Sequence, residues 1–329
     1  MIKHTFNKLY LNLFIVIAYS CSAQETAIQY ANEIKQEDLK ELLYVYASDF
    51  FEGRKTGTPG QKRATDFLRH FYKSHRINAA KGTLDYYQNM ELLIDNQYVD
   101  SQNVVAIVEG DELPEEYLVI SSHLDHLGMK EGVIYNGADD DGSGTVALLE
   151  MAAAFQKAKS EGHGPKRSII FLHVTGEEKG LLGSEYYTEN PLYPLNNTIA
   201  NLNVDMIGRI DPKRDNPNPN YIYLIGSDRL SQDLHQVSES VNATYSKLEL
   251  DYTFNDENDP NDFYTRSDHY NFAEKQIPVI FYFSGTHEDY HKPTDTASKI
   301  NYDLLEARTK LIFYTVWEIA NKEKSIQLN

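Results

Sequence analysis

Six short apolar runs along the chain predict the strands of a buried sheet. The runs are VVAIV at 104–108, YLVIS at 117–121, SIIFLHV at 168–174, IANLNVDMI at 199–207, YIYLIG at 221–226 and IPVIFYF at 277–283. Segments with apolar residues at helical spacing lie between and around them. These segments are 33–48, 59–77, 145–158, 229–242 and 302–322.

Strands that alternate with helices predict an α/β fold with a mostly parallel central sheet and helices on both of its faces. No internal repeat is visible, and the loop-rich stretch at 211–220 is too short for a domain linker. The polar stretch at 255–269 lacks periodicity and is expected at the surface or at the edge of a site. We therefore expect residues 24–329 to form a single domain.

The first 23 residues have the layout of a secretory signal. Lys3 and Lys8 precede the apolar run LNLFIVIAY at 11–19, and small residues follow in SCSAQ at 20–24. The run is shorter than the roughly 20 residues of a membrane-spanning helix. We predict residues 1–23 to be a signal segment and the protein to be exported, either to the periplasm, to the outer membrane as an anchored lipoprotein, or out of the cell.

Cys21 leaves the mode of export open. It is the only cysteine, so no disulfide can form within the chain. Its position resembles the lipobox of bacterial lipoproteins, in which the cysteine carries the lipid, although Ala18 stands where that pattern prefers leucine. The alternative is ordinary cleavage after Ala23. A membrane is expected as a partner only through such a lipid anchor.

The charge composition indicates which kinds of binding partner are disfavoured. The hydrophobic content of 41% and the charged content of 24% are ordinary for a globular protein. The 49 acidic residues outnumber the 31 basic ones and give a formal net charge of -18. This charge disfavours nucleic acids and anionic membrane surfaces through long-range electrostatics, but it does not oppose cations.

Acidic and histidine-bearing segments lie close to the ends of the predicted strands, where sites of α/β folds gather. They are SSHLDHLG at 121–128, NGADDDGSGT at 136–145, TGEEKGLLGS at 175–184, NVDMIGR at 203–209 and HEDYHKPTDT at 287–296. One acidic pair alone is usually a solvated helix start, but five such segments at the ends of apolar strands are hard to explain by solvation. Imidazoles and carboxylates without thiolates suit zinc, with manganese or cobalt as alternatives.

The five segments are similar, in order and spacing, to the zinc-dependent aminopeptidases of peptidase family M28. The similarity covers about residues 100–300, and DFFEGRKTGTPGQKRA at 49–64 and RSDHYNFAEKQIPVIF at 266–281 resemble further family segments. The resemblance implies the three-layer sandwich of zinc exopeptidases. It also implies two zinc ions that share one bridging aspartate, consistent with the separation of roughly 3.5–4 Å in two-metal hydrolytic sites.

The resemblance implies a ligand set and a catalytic pair. One zinc would be bound by His123, Asp205 and the bridging Asp140, and the other by Asp140, Glu178 and His291. Glu177 resembles the general base, which needs a free carboxylate to remove a proton from metal-activated water. Tyr290 is expected either to donate a hydrogen bond to the oxyanion or simply to pack. The implied activity is removal of N-terminal amino acids from peptides with a free N-terminus.

Supporting roles follow for neighbouring residues. Asp125 is expected to fix the tautomer of the His123 imidazole, while His126 has no ligand role in the pattern and is expected to be structural. A cis peptide is expected at Asp140-Asp141. Hydrogen-bonding roles are expected for Asp139 and Asp141, and His287 and Glu288 are expected to lie just outside the metal ligands. Ser143 is expected to cap a helix, and Asp268 and His269 are expected either to contact substrate or to stabilise a loop.

Other function classes remain open. A carboxypeptidase or dipeptidase of the same superfamily needs a cation for the substrate carboxylate, which Arg209 or Arg266 would supply. A glutaminyl cyclase-like enzyme has the same fold with a single zinc. A non-catalytic binding protein is disfavoured because no implied ligand or base is replaced in this sequence.

Overall fold

The computed structural model describes residues 24–329. The predicted signal segment at 1–23, with Cys21 and Ala23, lies outside the described residues, and its role stays a prediction. Among the described residues, no helix has both the length and the apolar character needed to cross a bilayer.

Eleven strands are present in the described part of the chain. They are β1 (Asn78–Ala79), β2 (Tyr87–Ile94), β3 (Gln97–Val108), β4 (Leu113–His123), β5 (Gly128–Lys130), β6 (Val133–Tyr135), β7 (Arg167–Val174), β8 (Thr198–Val204), β9 (Tyr221–Ile225), β10 (Glu249–Asp251) and β11 (Val279–Phe283). All six predicted strands are confirmed. The short strands and β2 were not predicted.

The described helices include the five that were predicted. They are α1 (24–31), α2 (Gln36–Tyr46), α3 (Pro59–Ser74), α4 (Gly144–Ser160), α5 (Leu182–Glu189), α6 (Gln232–Val241), α7 (His269–Glu274) and α8 (Tyr302–Asn321). Side-chain caps fix three of their starts, since Thr58, Ser231 and Asn301 each accept a hydrogen bond from a backbone N–H of the first turn.

The central sheet has nine strands in the order β1-β3-β7-β4-β8-β11-β9-β10, with β2 paired to β3. Strands β7, β4, β8 and β11 are mutually parallel, and β3 and β9 run antiparallel to their inner neighbours. The predicted mostly parallel sheet is therefore confirmed. The carboxyl ends of its four central strands meet at one edge.

Consecutive residues of the central strands enter two different cores. On β4, Leu118 and Ile120 pack in one core with residues of α2, α4 and α8. Val119, between them, packs in a second core with residues of α5 and α7. Side chains alternate between the faces of a strand, so helices cover the sheet on both faces, as the sequence predicted.

Glu150 on α4 gives the fold a testable dependence on pH. The residue is 9% exposed, and burial, reinforced by the charge of Asp38, raises its pKa to about 7. The unfolded chain would titrate this carboxyl near 4.3, a typical value for glutamate. The folded state thus binds this proton more tightly than the unfolded chain does. The stabilisation from the protonated carboxyl is full below pH ~4.3 and is lost as pH rises toward 7.

We expect Glu150→Gln to match the wild type in free energy of unfolding at pH 4 and to exceed it by about 1–3 kcal/mol at pH 8, because each unit of pKa shift corresponds to about 1.4 kcal/mol. Denaturant unfolding at both pH values, with a chelator present throughout, measures this difference. Glu41→Gln, at an exposed position of α2, is the control. An equal gain at both pH values would contradict a buried titrating carboxyl.

Candidate metal centre

The candidate site lies at the carboxyl edge of the four parallel strands. His123 is the last residue of β4, and Asp205 directly follows β8. Glu177 and Glu178 begin a short turn after β7, and His291 lies in the loop after β11. Asp140 comes from the turn Ala138–Ser143 that leads into α4. The fold therefore brings the predicted residues together, although they are scattered along the chain.

A first cluster joins His123, Asp140 and Asp205. The Nε2 atom of His123 lies 3.1 Å from Asp140 Oδ1 and 3.5 Å from Asp205 Oδ1. The three side chains are buried, and one ligand atom from each meets the spacing needed to hold a metal ion. This cluster consists of the residues that the family resemblance assigns to one zinc.

A second cluster lies on the other side of the Asp140 carboxylate. The Nε2 atom of His291 lies 3.2 Å from Asp140 Oδ2 and 3.3 Å from Glu178 Oε2. The Nδ1 atom of His126 also faces this cluster, 2.8 Å from Glu178 Oε1 and 3.7 Å from Asp140 Oδ2. His126, Asp140 and Glu178 have the spacing to hold a metal ion. Asp140 thus presents one carboxylate oxygen to each cluster.

Whether the buried ligand atoms have hydrogen-bond partners tests if a pair of metal ions fits in this site. Buried polar atoms are hydrogen-bonded in nearly all native structures. Among the described residues, Asp140 Oδ2, Glu178 Oε1, Asp205 Oδ1 and His126 Nδ1 are buried without a hydrogen-bond partner. All four of these atoms make close contacts within the clusters. Nitrogen and oxygen donors of this kind suit zinc, manganese or cobalt, so the residues fit a centre of two metal ions.

Asp141 ties the segments of the site together. Its carboxylate accepts hydrogen bonds from the backbone N–H groups of His123 at 3.2 Å, Gly144 at 2.9 Å and Met206 at 3.2 Å. It therefore joins the ends of β4 and β8 to the start of α4, which matches the predicted hydrogen-bonding role. The Asp140-Asp141 peptide bond is cis, as expected.

Asp125 contacts the His123 imidazole as predicted, but through its backbone carbonyl rather than through its carboxylate. The Nδ1 atom of His123 donates to the backbone carbonyl of Asp125 at 3.1 Å, while the Asp125 carboxylate is 4.0 Å away. The carbonyl thus holds the tautomer that leaves Nε2 free for a metal. The carboxylate instead accepts from Thr56 Oγ1 at 2.8 Å and from the backbone N–H of Glu177 at 3.2 Å. It positions the segment that carries the predicted base.

Glu177 lies in an environment that favours its protonated form. Burial raises the pKa of this carboxyl well above its usual range. The nearby His123 lowers the pKa, whereas the negative charges of Asp205 and Asp268 raise it further. Its neighbour Asp268 accepts a hydrogen bond from Ser184 Oγ at 2.6 Å, and burial raises its pKa to about 7. Raised carboxyl pKa values of this kind cluster at functional sites.

The clusters open into a cavity that is partly aromatic. Its lining residues are His123, Asp140, Glu177, Asp205, Met206, Phe263, Arg266, Phe281, Phe283, Thr286, Tyr290 and His291. The ring of Tyr290 stacks on that of His291 with 3.9 Å between centroids. Its role as a hydrogen-bond donor stays a prediction. A second cavity of about 390 Å³ shares Phe263 and Thr286 with this one and borders the 211–216 loop.

Two predicted supporting roles differ from the structure. Ser143 does not cap α4, because its own backbone is already helical; its hydroxyl donates to the Asp139 carbonyl and accepts from the Ile207 N–H. Glu288 has a side chain that is 69% exposed and lies 3.4 Å from Arg209, so it belongs to the surface rather than to the metal ligands' surroundings.

Asp139 and His287 do support the site. Asp139 Oδ1 accepts from the Gly208 N–H at 2.7 Å, and its Oδ2 lies 3.2 Å from His287 Nε2. The sequence reasoning missed Asp295, which accepts hydrogen bonds from the backbone N–H groups of Asp139 and Asp140. Its presence in the last of the five segments was the available signal.

His269 lies close to the cavity without entering either cluster. Its ring is buried and stacks on Phe281 with centroids 4.7 Å apart, and burial lowers its pKa to about 3. Both of its ring nitrogens lack a hydrogen-bond partner among residues 24–329. The choice between substrate contact and loop stabilisation stays open for this residue.

Comparison with known proteins agrees with the geometry. The profile of Peptidase family M28 matches residues 103–316, more than half of the chain. Leupeptin-inactivating enzyme 1 of Streptomyces exfoliatus is 28% identical over 238 residues, which cover 66% of this chain and 48% of that protein. Aminopeptidase YwaD of Bacillus subtilis is 27% identical over 232 residues, which cover 68% and 46%. The match thus spans less than half the length of either curated relative.

A solved structure shares the fold. An aminopeptidase from Aneurinibacillus sp. strain AM-1 superposes with a TM-score of 0.69 and 15% identity, covering 92% of this chain and 98% of that one. The family profile, the fold and two adjoining clusters of metal-ligating side chains agree with one another. The chain therefore belongs to peptidase family M28.

Proposed function

We propose that the chain is a two-zinc aminopeptidase, which removes N-terminal amino acids from peptides with Glu177 as general base. The observation that carries the proposal is that Asp140 presents one carboxylate oxygen to each of two ligand clusters. Glu177 lines the same cavity. Its carboxyl is not among the ligand atoms of either cluster, which leaves it free to exchange a proton.

The residues divide the chemistry between them. When bound, the metal pair would activate water and polarise the scissile carbonyl. His123, Asp205, Glu178 and His291 would hold the metals on either side of Asp140. Glu177, whose carboxyl lines the cavity outside both ligand sets, would take up the proton of the water and pass it to the leaving amine. Tyr290 would donate a hydrogen bond to the oxyanion from the cavity wall.

Electrostatics favour a free α-amino group over a carboxylate as the recognised end of the substrate. Five acidic residues, Asp140, Glu177, Glu178, Asp205 and Asp268, lie in or beside the clusters. Arg209, one of the two cations that a carboxypeptidase would use, is already paired with Asp289 at 3.0 Å. A single-zinc glutaminyl cyclase would not need two complete clusters.

Arg266 supports carboxypeptidase or dipeptidase activity as the second candidate. It lines the cavity, stands 5.0 Å from the Phe263 ring, and makes no ion pair within the described part of the chain. A cation in this position would attract the carboxylate of a short peptide. Substrates that differ at only one end therefore decide between the two activities.

We expect aminoacyl p-nitroanilides with a free amino group to be hydrolysed, and their N-acetyl derivatives to be cleaved at least about 100-fold more slowly, because loss of one hydrogen bond to a charged group costs up to about 3 kcal/mol. Release of amino acids from N-acetyl dipeptides with a free carboxylate measures carboxypeptidase activity in parallel. Cleavage of blocked and free substrates at equal rates would refute the aminopeptidase assignment. Arg266→Ala is the matched variant, since it should reduce only activity that depends on the carboxylate.

A further inference from the structure

His126 is held in a geometry that an ordinary buried histidine does not need. Its side chain is fully buried, and its Nδ1 atom lies 2.8 Å from Glu178 Oε1 and 3.7 Å from Asp140 Oδ2. The ring centroid of His291, which contacts the same two carboxylates, is 6.0 Å away. Two imidazoles from different segments thus face the same pair of carboxylates.

The contact between His126 and Glu178 lacks the directionality of a hydrogen bond. Nδ1 and Oε1 are close enough for one, yet neither atom has a hydrogen-bond partner among the described residues, and Nε2 has none either. An N–H donor to a carboxylate would point along the line between the atoms. Two buried ligand-type atoms that lie this close without a hydrogen bond between them are instead arranged like neighbouring ligands of one metal ion.

The backbone around His126 is shaped to the ring. Gly137, with φ of +55°, passes so close that a Cβ atom there would lie 2.5 Å from the His126 ring. The guanidinium of Arg54 donates to the carbonyls of Asn136 and Gly137 at 2.6 and 2.7 Å and so fixes this loop. The backbone N–H of His126 donates to the Arg54 carbonyl at 3.4 Å. The ring is therefore positioned before any ligand binds.

We propose that His126 is an additional ligand, through Nδ1, of the metal ion held by Glu178 and His291. This inference rests on the proposed function, and it makes the two sites unequal. The second site would offer two imidazoles and two carboxylates, whereas the first offers one imidazole and two carboxylates. Four protein ligands close a zinc site more fully than three. The second site therefore binds zinc more tightly and fills first.

The test is a zinc titration of the metal-free full-length mature protein against a competing chelator. Wild type should bind two zinc ions with distinct affinities. We expect His126→Ala and the ring-preserving His126→Phe to weaken the tighter site at least about tenfold, the smallest effect typical even of residues that only support metal ligands. His269→Phe, which also removes a buried histidine with unpartnered nitrogens, should leave both affinities unchanged.

Zinc-edge X-ray absorption separates ligand loss from structural damage. With one equivalent of zinc bound, the wild type should show two imidazole nitrogens and each His126 variant one. Unchanged affinity together with an unchanged nitrogen count would overturn the role of His126 while leaving the two-zinc peptidase intact. A wild type that binds no zinc would overturn both this proposal and the proposed function.

Discussion

Replacing Glu177 with glutamine is expected to lower kcat by about 10²–10⁴-fold, the usual contribution of a general base, while both metal ions stay bound. Glutamine has nearly the same shape as glutamate but cannot accept the proton. The residue lies outside the ligand atoms of both clusters, so metal affinity should not change. Steady-state kinetics on an aminoacyl p-nitroanilide and metal analysis of the same sample measure the two quantities.

Glu185→Gln is the control for this substitution, because Glu185 is an exposed residue of α5 in the helix that follows the same turn. It should retain wild-type kcat. Loss of metal from Glu177→Gln, or turnover within a factor of two of the wild type, would show that Glu177 is not the base.

Removing the shared carboxylate should have the largest effect on metal content. In Asp140→Ala both clusters lose a ligand, and we expect fewer than one zinc per chain after reloading. Asp205→Ala affects only the first cluster, so it should keep about one zinc. Because metal ions supply several kcal/mol of transition-state stabilisation, kcat/KM should fall about 10³-fold or more in Asp140→Ala, where 1.36 kcal/mol is tenfold.

The difference in metal content between Asp140→Ala and Asp205→Ala tests whether Asp140 is shared between two ions. Metal analysis after gel filtration gives the stoichiometry, and unfolding of the metal-free proteins shows whether each variant folds. If Asp140→Ala and Asp205→Ala lost the same amount of metal, Asp140 would not be shared between two ions.

The central strands were predictable because burial on both faces leaves apolar runs that no other element resembles at this length. Strand β2 was missed for the opposite reason. Its sequence YQNMELLI alternates buried and exposed positions on a strand outside the main path of the sheet, and its polar residues hide the pattern. The short strands β1, β5, β6 and β10, and the short helix α7, depend on tertiary contacts that local sequence does not encode.

The meeting of the five acidic and histidine-bearing segments could be predicted because four of the five lie at strand ends, which a parallel sheet brings together. The assignment of individual ligands, including Asp140 in the turn before α4, depended on the family resemblance. His126 could not be assigned in this way. It lies three residues beyond His123, and whether its ring turns into the site depends on the Gly137 loop and on Arg54. The distinct roles of the Asp125 carbonyl and carboxylate are likewise matters of side-chain direction, which spacing along the chain does not give.

Several of the groups that brace the metal centre come from residues before 103, where the family match begins. Arg54 holds the carbonyls of Leu124, Asn136 and Gly137, and Thr56 holds the carboxylate of Asp125. A shortened protein that starts at residue 103 would keep every ligand yet lose these braces. A shortened form should therefore retain the segment between α2 and α3, because its side chains support the candidate metal centre.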